Sequence, residues 1–235
     1  IKKYGVLHLL KKGLEVDDAN FTLFYQNPLA SSSQIIKDRF EQNCFSVTRQ
    51  LRYSIDNPRE EIDLVLFING LPIVTMELKN PWTGQNARVH GQHQYKTKRD
   101  FKQPLLNFAR CVVHFSVDTD EAYMTTKLNG RNTFFLPFNK GNKHGKGNPE
   151  LQSGEIGHRT NYLWNEVFTR ESLANIIQHF VRLDGKKKDP IQTKTLFFPR
   201  YHQMDVVRKI IADASSKGVG QTYLIQHSAG SGKSN

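Results

Sequence analysis

Two apolar runs rich in β-branched residues, 62–68 and 71–79, meet at Asn69-Gly70. Asn-Gly between such runs is the strongest short-range hairpin signal, because both residues tolerate the positive φ of a tight turn. The hairpin carries Asp63 on its first strand and Glu77 and Lys79 on its second. Charged groups within apolar strands are costly to bury unless they are paired. The stretch therefore constrains the fold and poses a chemical question together.

Register decides whether these three groups meet. A plain two-residue loop pairs Ile62 with Glu77 and puts Asp63 and Glu77 on opposite faces. A three-residue loop, 68–70, with Gly70 left-handed in a bulge, pairs Phe67 with Leu71 and Asp63 with Thr75. Asp63, Glu77 and Lys79 then share a face, since strand side chains alternate with period two. This second register is the expectation. Two carboxylates converging from neighbouring strands suit Mg²⁺, which takes a few carboxylates together with water and phosphate. A lysine on the same face can orient or deprotonate an attacking water and offset phosphate charge. Those parts describe phosphodiester hydrolysis, with Asp63, Glu77 and Lys79 catalytic and Asp63 and Glu77 holding the metal. A cross-strand Asp63–Lys79 ion pair at the sheet rim, with Glu77 solvated, is the competing reading of so short a pattern.

The sequence from Asp63 to Asn80, DLVLFINGLPIVTMELKN, resembles the nuclease core of the motor (R, or HsdR) subunit of type I restriction enzymes. The INGLP turn followed by ELKN carries the resemblance. It departs at Ile62, where the family often has proline. The resemblance implies an α/β chain: a PD-(D/E)xK (restriction endonuclease-like) mixed sheet flanked by helices, then the beginning of a RecA-like P-loop motor domain. It also implies a Gln-x-x-x-Tyr element that positions substrate. Here Gly91 stands four residues before Tyr95, and the nearest glutamine is Gln92, so Gln92 and Tyr95 are carried over as candidates for DNA contact.

The surrounding pattern is compatible with that core. Residues 6–10 read as a strand or short helix, and 17–20 as a turn. A helix is expected from Ser31, with Ile35, Ile36, Arg39 and Phe40 on one stripe, then a strand at 45–53. Glu41 on that helix is a remote candidate for the metal, a solvated helix face being the simpler reading. After 81–84 a second helix, 86–98, presents Arg88, Lys96 and Lys98 together with Arg99, suited to phosphates rather than bases, or else simply a basic solvated face. Strands follow at 111–117, 121–126 and 133–138. The glycine- and asparagine-rich stretch 140–153 reads as a linker or loop. Helices at 161–168 and 171–183 follow, the second with Leu173, Ile176, Ile177, Phe180 and Val181 on a packing stripe. A break at 184–190 marks a boundary. The expected division is an endonuclease domain at 1–145, a helical linker region at 146–190 and the motor start at 191–235.

A second chemical motif closes the sequence. A helix at 204–215 and a strand at 222–226 lead into HSAGSGKS. Strand, glycine-rich loop and Lys-Ser form a P-loop, in which backbone amides at Gly230 and Gly232 approach phosphate. Lys233 reaches the β- and γ-phosphates and Ser234 holds Mg²⁺. His227 takes the place of the motif's first glycine; the loop is closer to the superfamily 2 helicase form, and the type I motor subunits that the chain resembles often carry a histidine there. The Arg-Tyr-His-Gln run, 200–203, resembles the Q motif of those helicases, which assigns adenine recognition to Gln203; the plainer reading is a helix cap. The sequence stops one residue past Ser234, short of the groups ATP hydrolysis needs, and opens at Ile1 rather than methionine. A processed or incomplete chain, not competent as an ATPase alone, is the expectation.

The excess of basic over acidic residues leaves a formal charge of +11, which favours a polyanionic partner. No apolar run approaches the ~20 residues that span a bilayer. Cys44 and Cys111, without CxxC spacing, suggest buried free thiols in a reducing cytoplasm, and the scattered histidines suggest no zinc site. The combined expectation is a Mg²⁺-dependent DNA endonuclease and ATP-dependent translocase subunit, acting on double-stranded DNA in the cytoplasm with modification and specificity subunits. Another nuclease–helicase fusion, or a DNA-binding and docking module without catalysis, are the rivals.

Overall fold

The computed structural model describes residues 1–142, 145–186, 188–227 and 232. The chain opens with α1 (Val6–Lys12), a small hairpin of β1 (Leu14–Val16) and β2 (Ala19–Phe21), and α2 (Gln34–Glu41). A six-stranded sheet follows, in the order β3 (Phe45–Arg52), β4 (Glu61–Ile68), β5 (Leu71–Leu78), β6 (Val113–Val117), β7 (Ala122–Thr125) and β8 (Leu136–Pro137). Every neighbouring pair is antiparallel except β5 and β6. A parallel pair needs a crossover, and this one carries the helical turns Ala87–Gly91 and Gln94–Lys98. Two further helical turns, Leu163–Val167 and Ile176–Phe180, flank α3 (Arg170–Asn175), and β9 (Arg182–Asp184) pairs with β10 (Thr195–Phe197) ahead of α4 (Tyr201–Lys217). The result is a mixed α/β architecture of the restriction endonuclease-like kind.

Alternation along the strands separates two cores. One face contributes Met76, Val113, Phe115 and Met124, which pack with α1, α3 and the start of α4. Phe115 sits edge-on to Phe138 at 5.1 Å and to Phe168 at 5.4 Å. The other core gathers Val65, Tyr95, Leu106, Tyr123 and Phe135. The charged residues of the hairpin belong to this second face.

The hairpin turn forms where the sequence places it, but its register differs from the expected one. Asn69 (φ 50°) and Gly70 (φ 77°) are both left-handed, as a two-residue I′ turn requires, and Ile68 pairs with Leu71. Phe67 faces Pro72 and Leu66 faces Val74, so Ile73 is an extra residue on β5. The strand bulges there because Pro72 has no N–H to donate to the ladder and Ile73 turns to its other neighbour, accepting the Val112 N–H at 2.8 Å. Beyond the bulge Val65 pairs with Thr75 and Leu64 with Met76. Extending that register sets Asp63 opposite Glu77 rather than Thr75. The expectation of a shared face holds, through a bulge in the opposite sense.

Other expectations are also redrawn. Ile35 and Ile36 lie exposed and only Phe40 of the α2 stripe is buried, because no element covers the rest of that helix. The strand expected at 133–138 shortens to Leu136–Pro137, since Asn129, Gly130 and Asn132 close turns that hold Thr133. No strand forms at 222–226, where no strand among the described residues offers a ladder and Leu224 is exposed. The break expected at 184–190 joins β9 to β10, and Leu196, Phe198, Tyr201 and Met204 enter the same core as the sheet. The helical region after residue 160 is likewise part of that core. Cys44 is exposed and Cys111 buried, both as free thiols.

Asn69 does more than turn the chain. Its side chain accepts the Cys44 N–H at 2.6 Å and donates to the Leu23 carbonyl at 2.9 Å and to Asn43 Oδ1 at 3.0 Å. It thereby ties the hairpin tip to the segments before α2 and β3. Asn69→Ala removes these bonds and places a Cβ without compensation at positive φ, for a loss of about 2 kcal/mol in stability. Asn69→Gly keeps the turn and loses only the bonds. Chemical denaturation should rank wild type above Gly above Ala, and equal stability of all three would contradict this role.

Candidate active site

The register after the bulge brings three charged groups to one place. Lys79 Nζ lies 3.6 Å from Asp63 Oδ2 and 3.7 Å from Glu77 Oε2. Asp63 Oδ2 also accepts the Leu78 N–H at 2.7 Å, which fixes the carboxylate against the neighbouring strand. Glu77 is fully buried, and Arg99 Nε donates to its Oε1 at 2.7 Å. Asp63, at the rim, remains partly exposed. The ion pair of the plainer reading exists, but the solvated Glu77 that went with it does not.

Arg99 is the partner that the linear pattern does not show. It lies beyond the crossover helix, and its guanidinium also rests 5.9 Å from the centre of the Tyr53 ring. Its other neighbours in the basic run go elsewhere. Lys96 sits over the Phe135 ring, Lys98 is exposed, and Arg88 lines a separate cleft with Glu121 and Tyr123. Among the described residues, Arg99 alone of that run is ion-paired to Glu77. Glu41 is likewise remote, paired with Arg170 at 3.0 Å.

The aromatic of the expected Gln-x-x-x-Tyr element is not at the surface. Tyr95 is fully buried, and its hydroxyl meets Thr75 Oγ1 at 2.8 Å, which in turn meets His114 Nδ1 at 2.7 Å. Burial pushes the Tyr95 phenol up and the His114 imidazole down to about 3, so both are neutral near pH 7. Tyr95 therefore supports β5 from beneath instead of touching a substrate. Gln92 is half-buried at the end of the first helical turn. Gly91 explains the missing glutamine: a Cβ there would lie 2.0 Å from Ser116 Oγ and 3.4 Å from the Lys79 stem. The crossover helix approaches the sheet too closely for a side chain. Its start is held by Asp118, whose Oδ2 accepts the Ala87 N–H at 2.7 Å.

Charge and burial together define the site's electrostatics. Burial is the largest influence on Glu77 and, although Arg99 and Lys79 oppose it, the carboxyl is pushed up to about 7. Glu77 Oε2 has no hydrogen-bond partner among the described residues. A buried carboxylate oxygen without a donor is the form in which a cation ligand is kept ready. The donor set, two carboxylates from adjacent strands open to solvent at Asp63, fits a hard divalent cation that retains waters. The described residues bring no third His, Cys, Asp or Glu to it.

The second motif is described only in part. Gly230, Lys233 and Ser234 lie outside the described residues. Gly232 has φ 80°, and its carbonyl accepts a hydrogen bond from the Gln203 side-chain amide. Gln203 Oε1 accepts the Arg200 N–H at 2.8 Å, closing a capping box on α4. Gln203 thus caps a helix and also ties it to the glycine-rich segment.

Comparison with known proteins places these observations. The family model described as "Type I restriction enzyme R protein N terminus" matches residues 7–133, which include the Asp63 cluster and Arg99. The "Type I restriction enzyme HindI endonuclease subunit" of Haemophilus influenzae is 24% identical over 233 residues, 96% of this chain and 21% of its own length. In Methanocaldococcus jannaschii, the "Putative type I restriction enzyme MjaIXP endonuclease subunit" is 26% identical over 228 residues, 84% of this chain and 20% of its own. The chain spans about a fifth of the length of these curated relatives.

The raised Glu77 carboxyl has a measurable consequence. Its folded value lies above the unfolded one, so the native state binds the extra proton between about pH 4.5 and 7. Stability from this group is present at the acid end of that window and lost as pH rises through it. Glu77→Gln removes the titration. Without divalent cation, the stability of the variant relative to wild type should increase by on the order of 2–3 kcal/mol between pH 5 and pH 8. A pH-independent difference in chemical denaturation would contradict the buried, uncompensated carboxylate.

Proposed function

The chain belongs to the type I restriction enzyme R protein family, in its N-terminal part, and on that premise we propose that it cleaves DNA by metal-dependent phosphodiester hydrolysis. The observation that carries the reading is the juxtaposition of Asp63, Glu77 and Lys79, with one oxygen of a buried carboxylate left without a donor. Asp63 and Glu77 would hold Mg²⁺, which when bound supplies Lewis-acid stabilisation of phosphate charge and a more acidic water.

The chain's own groups divide the remaining work. Arg99 grips one Glu77 oxygen and leaves the other directed to the site, fixing the rotamer of a buried ligand. Lys79 spans both carboxylates, so its ammonium is placed to orient the attacking water or meet the anionic phosphate once a cation takes over the carboxylates. The Leu78 N–H keeps Asp63 aimed inward. Tyr95, Thr75 and His114 hold β5 without exchanging protons near neutral pH. The net charge of +11 supports a polyanionic substrate, with double-stranded DNA as the substrate of this reading. Arg88, Lys96 and Lys98 are candidates for its backbone.

The reading extends to the rest of the family's architecture. Gln203, Gly230, Gly232, Lys233 and Ser234 begin an ATP site in this proposal, and residues 191–235 the motor that drives translocation. The working enzyme would then include modification and specificity subunits, as the family resemblance implies. The relatives' names, each an endonuclease subunit of a type I restriction enzyme, support the nuclease part of the reading.

The test uses a full-length subunit assembled with its partners and given plasmid DNA, Mg²⁺ and ATP. Asp63→Ala should lower cleavage by at least about a hundredfold, while ATP hydrolysis stays near wild type. Undiminished cleavage would remove the nuclease assignment from this hairpin.

A further inference from the structure

The ends of β5 and β6 open into a cleft of about 430 Å³ bounded by Leu78, Lys79, Trp82, Val117, His158 and Trp164. It shares Leu78 and Lys79 with the candidate active site. Leu78, which lines the cleft, donates its N–H to Asp63, and Lys79 reaches both carboxylates. A group held in the cleft is therefore bounded by the strand end that also carries Lys79.

Trp82 is the unusual member. It is 94% exposed, the largest kind of apolar side chain left in water. The turn that carries it is closed at every step. Asn80 Oδ1 accepts the Trp82 N–H at 3.0 Å, the Thr83 hydroxyl donates to the Asn80 carbonyl at 2.7 Å, and the Gly84 N–H donates to the Pro81 carbonyl at 2.9 Å. Pro81 stiffens the turn further and Gly84, at φ 71°, ends it. An exposed indole on a rigid turn is preorganised for a flat partner, at little entropic cost. Trp164 faces the same cleft from the far side of the chain, so both tryptophans of the sequence line it.

We propose that this cleft receives a nucleobase displaced from the DNA stack beside the scissile phosphate, and that Trp82 is the positioning residue on which that base stacks. The proposal rests on the nuclease reading of Asp63, Glu77 and Lys79. Every base has a π-face, so stacking of this kind is tolerant of sequence. It suits a site whose described charged groups meet carboxylate and phosphate. The cleft favours DNA that is unpaired or easily unpaired at the cut, because displacing a base from an intact duplex costs a few kcal/mol. Asn80, Thr119 and His158 supply polar edges around the aromatic floor.

Tryptophan emission reads this directly, without metal or cleavage. The 235-residue chain is titrated in EDTA with a duplex carrying a central unpaired stretch and with a fully paired duplex of equal length. The Trp164→Phe variant, in which Trp82 is the sole tryptophan, should be quenched by the unpaired DNA and much less by the paired one. Trp82→Leu should weaken binding of the unpaired DNA by roughly tenfold, as loss of one stacked base does, and leave binding of the paired duplex unchanged. Trp82→Phe should restore most of the loss. Emission from Trp82 that stays constant while DNA binds, or equal weakening for both DNAs, would overturn the proposal. The nuclease reading stands or falls separately, on the cleavage lost in Asp63→Ala.

Discussion

A carboxylate held inside the protein against its own preference is the constraint on which the site depends. Glu77 is enclosed on the sheet's polar face, with burial pushing its carboxyl toward neutrality and Arg99 and Lys79 opposing that push. Partial compensation is the useful state. Full pairing would leave no oxygen for a cation, and no pairing would leave the group protonated. One oxygen bound to Arg99 and one without a donor is the arrangement between those limits. Stability is given up at the candidate site.

The rest of the fold can be read as what keeps that arrangement in place. The bulge at Ile73 turns Asp63 opposite Glu77, and the Asn69-Gly70 turn anchors the hairpin to the chain's beginning. The parallel pairing of β5 with β6 forces a crossover, and that crossover returns Arg99 to the site. Gly91 lets the crossover helix lie against Ser116 and the stem of Lys79. Asp118 at the end of β6 holds the same helix by its first turn.

Much of this was legible in the sequence, for identifiable reasons. Asn69-Gly70 between apolar runs specified the hairpin, and period-two alternation specified which charges share a face. The register was not legible, because a bulge leaves only a weak local trace; Pro72, a strand residue unable to donate, was the available clue. Arg99 read as one more member of a basic helix, since its pairing with Glu77 depends on the crossover's path. Tyr95 read as a surface group for the same reason. The strand expected at 222–226 failed because strands are stabilised by partners, and none is described beside that segment. Gly230, Lys233 and Ser234 lie outside the described residues, so the ATP site remains a proposal that rests on the motif itself and on Gln203, which joins α4 to Gly232.

The central claim is that Asp63 and Glu77 together bind a divalent cation. Calorimetric titration of the chain with Mn²⁺ at pH 8, where Glu77 is largely ionised, tests it most directly. One site per chain is expected, weakened at least about tenfold by either Asp63→Asn or Glu77→Gln, with the double variant little worse than each single one, as for ligands of one ion. Binding unchanged by both substitutions, or no binding by the wild-type chain, would contradict the account and leave Asp63, Glu77, Lys79 and Arg99 as a structural ion-pair network.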